Sequence, residues 1–83
     1  DAGISSLRIY PNPASQMVNL DITTEESLGT IKMDITDMTG RNIQSTVIND
    51  NTHQIDVSNF AKGVYILNLH TYKGSIKRKI VVQ

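Results

Sequence analysis

Residues 63–83, GVYILNLHTYKGSIKRKIVVQ, set the fold class. Residues 64–71 are a dense run of β-branched and aromatic side chains, the composition of a strand. Tyr72-Lys73-Gly74-Ser75 reads as a tight reversal, with Gly74 free to adopt positive φ. Residues 75–82 follow as a second strand. In the first strand both faces are apolar, Val64 and Ile66 on one and Tyr65, Leu67 and Leu69 on the other, which predicts a central position. In the second, Ile76, Arg78, Ile80 and Val82 alternate with Lys77, Lys79 and Val81. Arg78 interrupts the inward set. The start of that strand is therefore expected at a sheet edge, where basic side chains block unwanted pairing.

Working outward, five more short strands are expected. Residues 1–6 read as a tether. Leu7-Arg8-Ile9-Tyr10 is a strand ended by Pro11-Asn12-Pro13, since two prolines cannot donate to a ladder; this corner is expected to be rigid and to lie between the sheets. Residues 17–22 alternate Val18, Leu20 and Ile22 with Asn19 and Asp21. Residues 30–38 set Ile31, Met33 and Ile35 against Lys32, Asp34 and Thr36. Asp37-Met38-Thr39-Gly40 is a turn with Gly40 at positive φ. Residues 42–48 return with Ile43, Ser45 and Val47 expected inward. Residues 53–57 form a fifth strand through Ile55 and Val57. A connection over which Phe60 folds into one end of the core leads to Gly63. Seven short strands with turn signals every ~8–12 residues are the signature of an antiparallel sandwich.

The chain has 83 residues, enough for one small domain. It carries 8 basic and 8 acidic residues, a balance that argues against nucleic-acid and membrane-surface binding. There is no cysteine, which removes disulfides and thiolate zinc sites. No apolar run approaches the ~20 residues of a membrane span. The sequence starts at Asp1 and is expected to be a domain of a longer parent.

Catalytic signatures are absent from the pattern. Asp37-Met38-Thr39-Gly40 resembles the aspartic-protease triplet with Met38 inserted, but no second copy supplies the paired carboxylate. His53 and His70 are the only histidines, too few to make a metal centre of three or four converging ligands. Asn49-Asp50-Asn51 lacks the glycine and distal glutamate of a calcium loop and reads as a turn. The serines have no nucleophile-elbow context, and there is no glycine-rich phosphate loop. No cofactor, metal or catalytic residue is expected.

Three ordered stretches carry a family likeness: Tyr10-Pro11-Asn12-Pro13-Ala14; Asp37-Met38-Thr39-Gly40-Arg41; and Asp56-Val57-Ser58 through Gly63-Val64-Tyr65-Ile66-Leu67, closing in the strand at 77–82. Together they resemble the type A C-terminal sorting domain of the type IX secretion system, from about Leu7 to Gln83. Met38 and Gln83 depart from the family's pattern, Met38 as a mild core exchange. The resemblance implies a seven-stranded antiparallel immunoglobulin-like β-sandwich, with residues 7–83 as the sorting domain. Its structural motif residues would be Tyr10, Pro11, Asn12, Pro13, Asp37, Gly40, Gly63, Tyr65 and Gly74.

The same resemblance implies a non-enzymatic export signal of Gram-negative bacteria. The parent passes through the periplasm and ends at the outer membrane, on the cell surface or secreted. Partners would be the outer-membrane secretion machinery and a sortase-like peptidase that removes the domain in many cargos. Recognition is expected through Lys77, Lys79, Ile80, Val81, Val82 and Gln83. An edge strand can be read by strand addition, and lysines on one face would select an acidic partner. The exposed edge also leaves a homodimer open. The rival reading is a retained sandwich module for interaction, signalling or carbohydrate binding; its aromatic supply is limited to Tyr10, Tyr65 and Tyr72 beside Phe60.

Overall fold

A computed structural model describes residues 2–83 of the chain. The described residues form seven strands: β1 (Ile4–Tyr10), β2 (Met17–Thr24), β3 (Ile31–Asp37), β4 (Asn42–Ile48), β5 (Thr52–Asp56), β6 (Gly63–Thr71) and β7 (Gly74–Val82). All pairings between them are antiparallel. Three strands form one sheet in the order β1-β2-β5, and four form the other in the order β4-β3-β6-β7. No helix among the described residues is long and apolar enough to cross a membrane.

Period-2 alternation builds the core directly. Val18, Leu20 and Ile22 of β2 and Ile55 of β5 line the inner face of the three-stranded sheet. Ile31, Met33 and Ile35 of β3, Tyr65, Leu67 and Leu69 of β6, and Ile80 and Val82 of β7 line the other; all are buried. Each fully buried aliphatic side chain of this size contributes about 1.5–3 kcal/mol. β6 is interior, flanked by β3 and β7. Its second face carries the half-buried Val64 and Ile66, which accounts for a strand apolar on both sides. Phe60 is half-buried and lies against Tyr65, ring centroids 5.2 Å apart at 51°. The Tyr65 hydroxyl donates to the Ala61 carbonyl, tying the β5–β6 connection to the start of β6.

Three expectations about local structure are corrected. The first strand begins at Ile4, not Leu7. Ala2 and Ile4 are buried, and a bulge between Ile4 and Ser6 shifts the register on Thr24 and Thr23. A short apolar residue amid Gly and Ser gives little alternation to read, so burial of Ile4 appears only once β2 is beside it. Met38, expected as a core exchange, is 67% exposed at the tip of the β3–β4 turn.

The third correction concerns β4. Ile48 is buried opposite Ile31, Thr46 faces Met33 and Gln44 faces Ile35, while Ser45 is exposed and Val47 is 49% exposed. Ile43 is the extra residue of a bulge, because Ile35 pairs with Gln44 while Thr36 pairs with Asn42. A bulge advances the phase by one, so alternation counted from Ile43 assigns every later side chain to the wrong face. Ile43 still packs on the core from its bulged position. Denaturant unfolding of point variants checks this register. Ile48→Ala should cost about 2–5 kcal/mol, as a buried aliphatic truncation does. Val47→Ala should stay within about 0.5 kcal/mol, the range of surface changes.

Candidate functional site: the outer edge of the last strand

β6 and β7 form a continuous hairpin, paired from Gly63 with Val82 to Thr71 with Gly74. The loop is the two residues Tyr72 and Lys73, and Gly74 takes φ 142°, a conformation that favours glycine. The hairpin tip is held to Ala2, just before β1, and to the link between β2 and β3. Thr71 Oγ1 donates to the Ala2 carbonyl at 2.6 Å, and Lys73 makes an ion pair with Glu26. That lysine, hydrogen-bonded to the carboxylate, holds Glu26 below its ordinary pKa, and Glu26 raises Lys73 in return.

Antiparallel pairing alternates the backbone groups, so every second residue of β7 aims its N–H and C=O away from β6. The residues with outward groups are 75, 77, 79, 81 and 83. Residues 11–14 occupy the far end of this edge. Asn12 Nδ2 donates to the Lys79 carbonyl at 3.1 Å, and the Val81 N–H donates to Asn12 Oδ1 at 3.0 Å. The Ala14 N–H donates to the Val81 carbonyl at 2.9 Å, and the Gln83 N–H donates to the Ala14 carbonyl at 2.8 Å. Ala14 is buried and makes a parallel bridge to Val82. The side-chain amide of Asn12 thus stands where a peptide unit of a neighbouring strand would stand, beside two prolines of which neither can donate. The Tyr10–Pro11 and Asn12–Pro13 peptide bonds are cis.

This geometry divides the residues expected from sequence. Lys77 and Lys79 are exposed and pair across the sheet with Asn68 and Ile66 on its outer face. Val81 is half-buried on that face opposite Val64. Ile80 and Val82 point the other way, and their side chains are buried in the core. Gln83 is exposed but its N–H is taken by Ala14. Arg78 lies on the inner-face phase opposite Leu67 yet is exposed, and its Nη1 donates to the Lys77 carbonyl at 2.8 Å. Among the described residues, the outward N–H groups of Ser75, Lys77 and Lys79 meet no acceptor.

The remaining motif residues shape turns. Asp37 Oδ1 accepts from Thr39 N–H at 2.9 Å, Thr39 Oγ1 at 2.6 Å and Arg41 N–H at 3.0 Å. Gly40 completes that turn at φ 89°. Asp56 Oδ1 accepts from Ser58 N–H and Oγ at 2.9 and 2.6 Å. The Thr39 hydroxyl, with the N–H groups of Arg41 and Thr39, holds the Asp37 carboxyl below its ordinary pKa. Ser58 does the same to Asp56.

One polar cluster was not legible in the sequence. On the outer face of the four-stranded sheet, Asp34 Oδ1 accepts from Ser45 Oγ at 2.8 Å, and Asp34 Oδ2 lies 3.0 Å from His70 Nε2. Asn42 Nδ2 donates to Ser45 Oγ at 3.1 Å. Only the register brings these together, since Asp34 faces Ser45 on one side and Asn68 on the other. The carboxylate sits between serine and histidine, whereas a serine nucleophile needs histidine in the middle to take its proton. The cluster is a cross-strand network. His53 lies on β5 in the other sheet, and no group of three metal-ligating side chains exists among the described residues.

A family model described as "Secretion system C-terminal sorting domain" matches residues 8–83. A search of curated proteins found no match to the chain.

Two outcomes follow from the geometry. Asn12→Ala removes both side-chain bonds to β7. It should lower stability by about 1–2 kcal/mol and speed hydrogen exchange at the Val81 and Gln83 amides, leaving Ile80 protected; amide-resolved exchange by NMR reads this. The second is a pH dependence. A carboxyl with a depressed folded-state pKa stabilises fully above its unfolded value and loses that contribution as pH falls through the folded one. The melting-temperature advantage of the native chain over Asp37→Asn should therefore be constant above about pH 5 and narrow as pH falls below about 4.

Proposed function

Because the chain belongs to the secretion-system C-terminal sorting domain family, we propose that it exports the protein that carries it through recognition of its last hairpin. Domains of this family are sorting signals of the type IX secretion system and imply delivery to the cell surface or the medium. The finer steps are our reading. The folded domain meets the outer-membrane machinery from the periplasm, presents β7 with Lys77 and Lys79, and is removed by a sortase-like peptidase or retained on the surface. It has no chemistry of its own. The observation that carries this reading is β7 itself: a strand at a sheet edge whose exposed cations Lys77, Arg78 and Lys79 form no ion pair with an acid among the described residues.

The immunoglobulin-like description belongs to the same proposal. The strand orders β1-β2-β5 and β4-β3-β6-β7 support it, as does Tyr65 bonding back to Ala61 near the start of β6, in the manner of a tyrosine corner. The carbohydrate-module alternative lacks a platform. Tyr10 is on β1 with Arg8 4.9 Å above its ring, Tyr72 is in the hairpin loop of the other sheet, and Tyr65 is buried.

The test is a fusion of residues 1–83 to an inert periplasmic reporter in a bacterium with the type IX system. Fractionation should place the reporter on the surface or in the medium, and the same fusion lacking residues 80–83 should remain periplasmic. A native fusion that stays in the periplasm, folded and intact, overturns the reading.

A further inference from the structure

The outer edge of β7 is divided into a closed part and an open part. From the carbonyl of Lys79 onward its outward groups are occupied by Asn12 and Ala14. An incoming strand could take that part only by displacing four hydrogen bonds and unburying Ala14. Over residues 75–79 the outward N–H groups meet no acceptor among the described residues. The Lys77 carbonyl is covered only by the exposed guanidinium of the adjacent Arg78.

We infer that residues 75–79 are the docking edge for an extended segment bearing acidic side chains, and that the last residues of the chain are not. The inference rests on the export reading and specifies which part of β7 the partner touches. Five residues of edge span about 17 Å, enough for a short added strand with hydrogen-bonded pairs at Ser75 and Lys77. Side chains directly opposite Lys77 and Lys79 would lie about 4.5–5.5 Å from them. Carboxylates there meet two exposed ammonium groups. An incoming N–H that takes the Lys77 carbonyl also frees the Arg78 guanidinium to bind a further carboxylate bidentately. The nearest acid in the same row of the sheet, Asp34, lies two strands away and is already engaged by Ser45 and His70. A second copy of the chain fits poorly. Two-fold antiparallel pairing centred on Lys77 sets that lysine against its own copy, and like charges directly opposite are destabilising.

Lys77→Pro isolates the docking edge. The Lys77 N–H points away from β6, so proline there keeps the β6–β7 ladder and removes one outward donor, the placement that edge strands tolerate. The probe is a synthetic eight-residue peptide alternating glutamate with threonine and valine, titrated into the full chain and followed by amide-resolved NMR. Binding should slow exchange at Ser75, Lys77 and Lys79 and leave Val81 and Gln83 unchanged. It should weaken at least tenfold in Lys77→Pro and several-fold in Lys77→Gln/Lys79→Gln, and be absent with a lysine-for-glutamate peptide. Native-strength binding by Lys77→Pro overturns the inference. So does slowed exchange confined to Val81 and Gln83, which would mean that the corner is displaced. A concentration-dependent dimer abolished by Lys77→Pro would assign the edge to a second copy instead. In the reporter fusion, export of Lys77→Pro at the native level refutes this inference alone, whereas failure of the native fusion refutes the export reading beneath it.

Discussion

Four hydrogen bonds between residues 12–14 and the outward groups of Lys79, Val81 and Gln83 close the sandwich at one end. They join the sheets, because residues 11–14 leave β1 in one sheet and bond β7 in the other. The constraint is one of donors. Neither Pro11 nor Pro13 has an N–H to offer, so the corner supplies one donor and one acceptor from the Asn12 side chain, and another of each from Ala14. Together they imitate a short parallel neighbour strand. The close approach that this requires buries Ala14 beside Val82, and Ile80 and Val82 remain in the core on the other side of the strand.

That closure gives β7 two characters along its length. Toward Val82 it is a packed strand, bonded on both edges and buried on one face. Toward Gly74 it is an open edge with Lys77, Arg78 and Lys79 exposed. The lysines guard the edge against indiscriminate pairing with other strands, and under the docking proposed above the same charges would favour an acidic one. In that proposal protection and recognition are one property of one edge, set by the sign of the partner.

The outer face of the four-stranded sheet shows how proximity differs from chemistry. Ser45, Asp34 and His70 form a chain of hydrogen bonds across β4, β3 and β6. Their order leaves the serine proton shared with a carboxylate, not with an imidazole. The result is cross-strand cohesion on a wetted face, of the kind that Arg8, Asp21 and Tyr10 provide on the other sheet.

The sequence by itself determined the strands whose alternation is unbroken. β2, β3 and β6 were legible because each apolar residue at i, i+2 and i+4 meets a core, and the Gly40 and Gly74 turns because positive φ restricts the choice of residue. It also carried the family, through short motifs in order. What only the tertiary structure decided were matters of phase and partner. The bulge at Ile43 turned Ser45 and Val47 outward, and β2 beside it made Ile4 part of a strand. Asp34 met His70 through a register that no single strand contains. The division of β7 was likewise invisible in its own residues, because the groups that close it belong to a corner some seventy residues earlier in the chain. Period and turn chemistry are local and can be read along a chain; which backbone edge stays open depends on what folds against it.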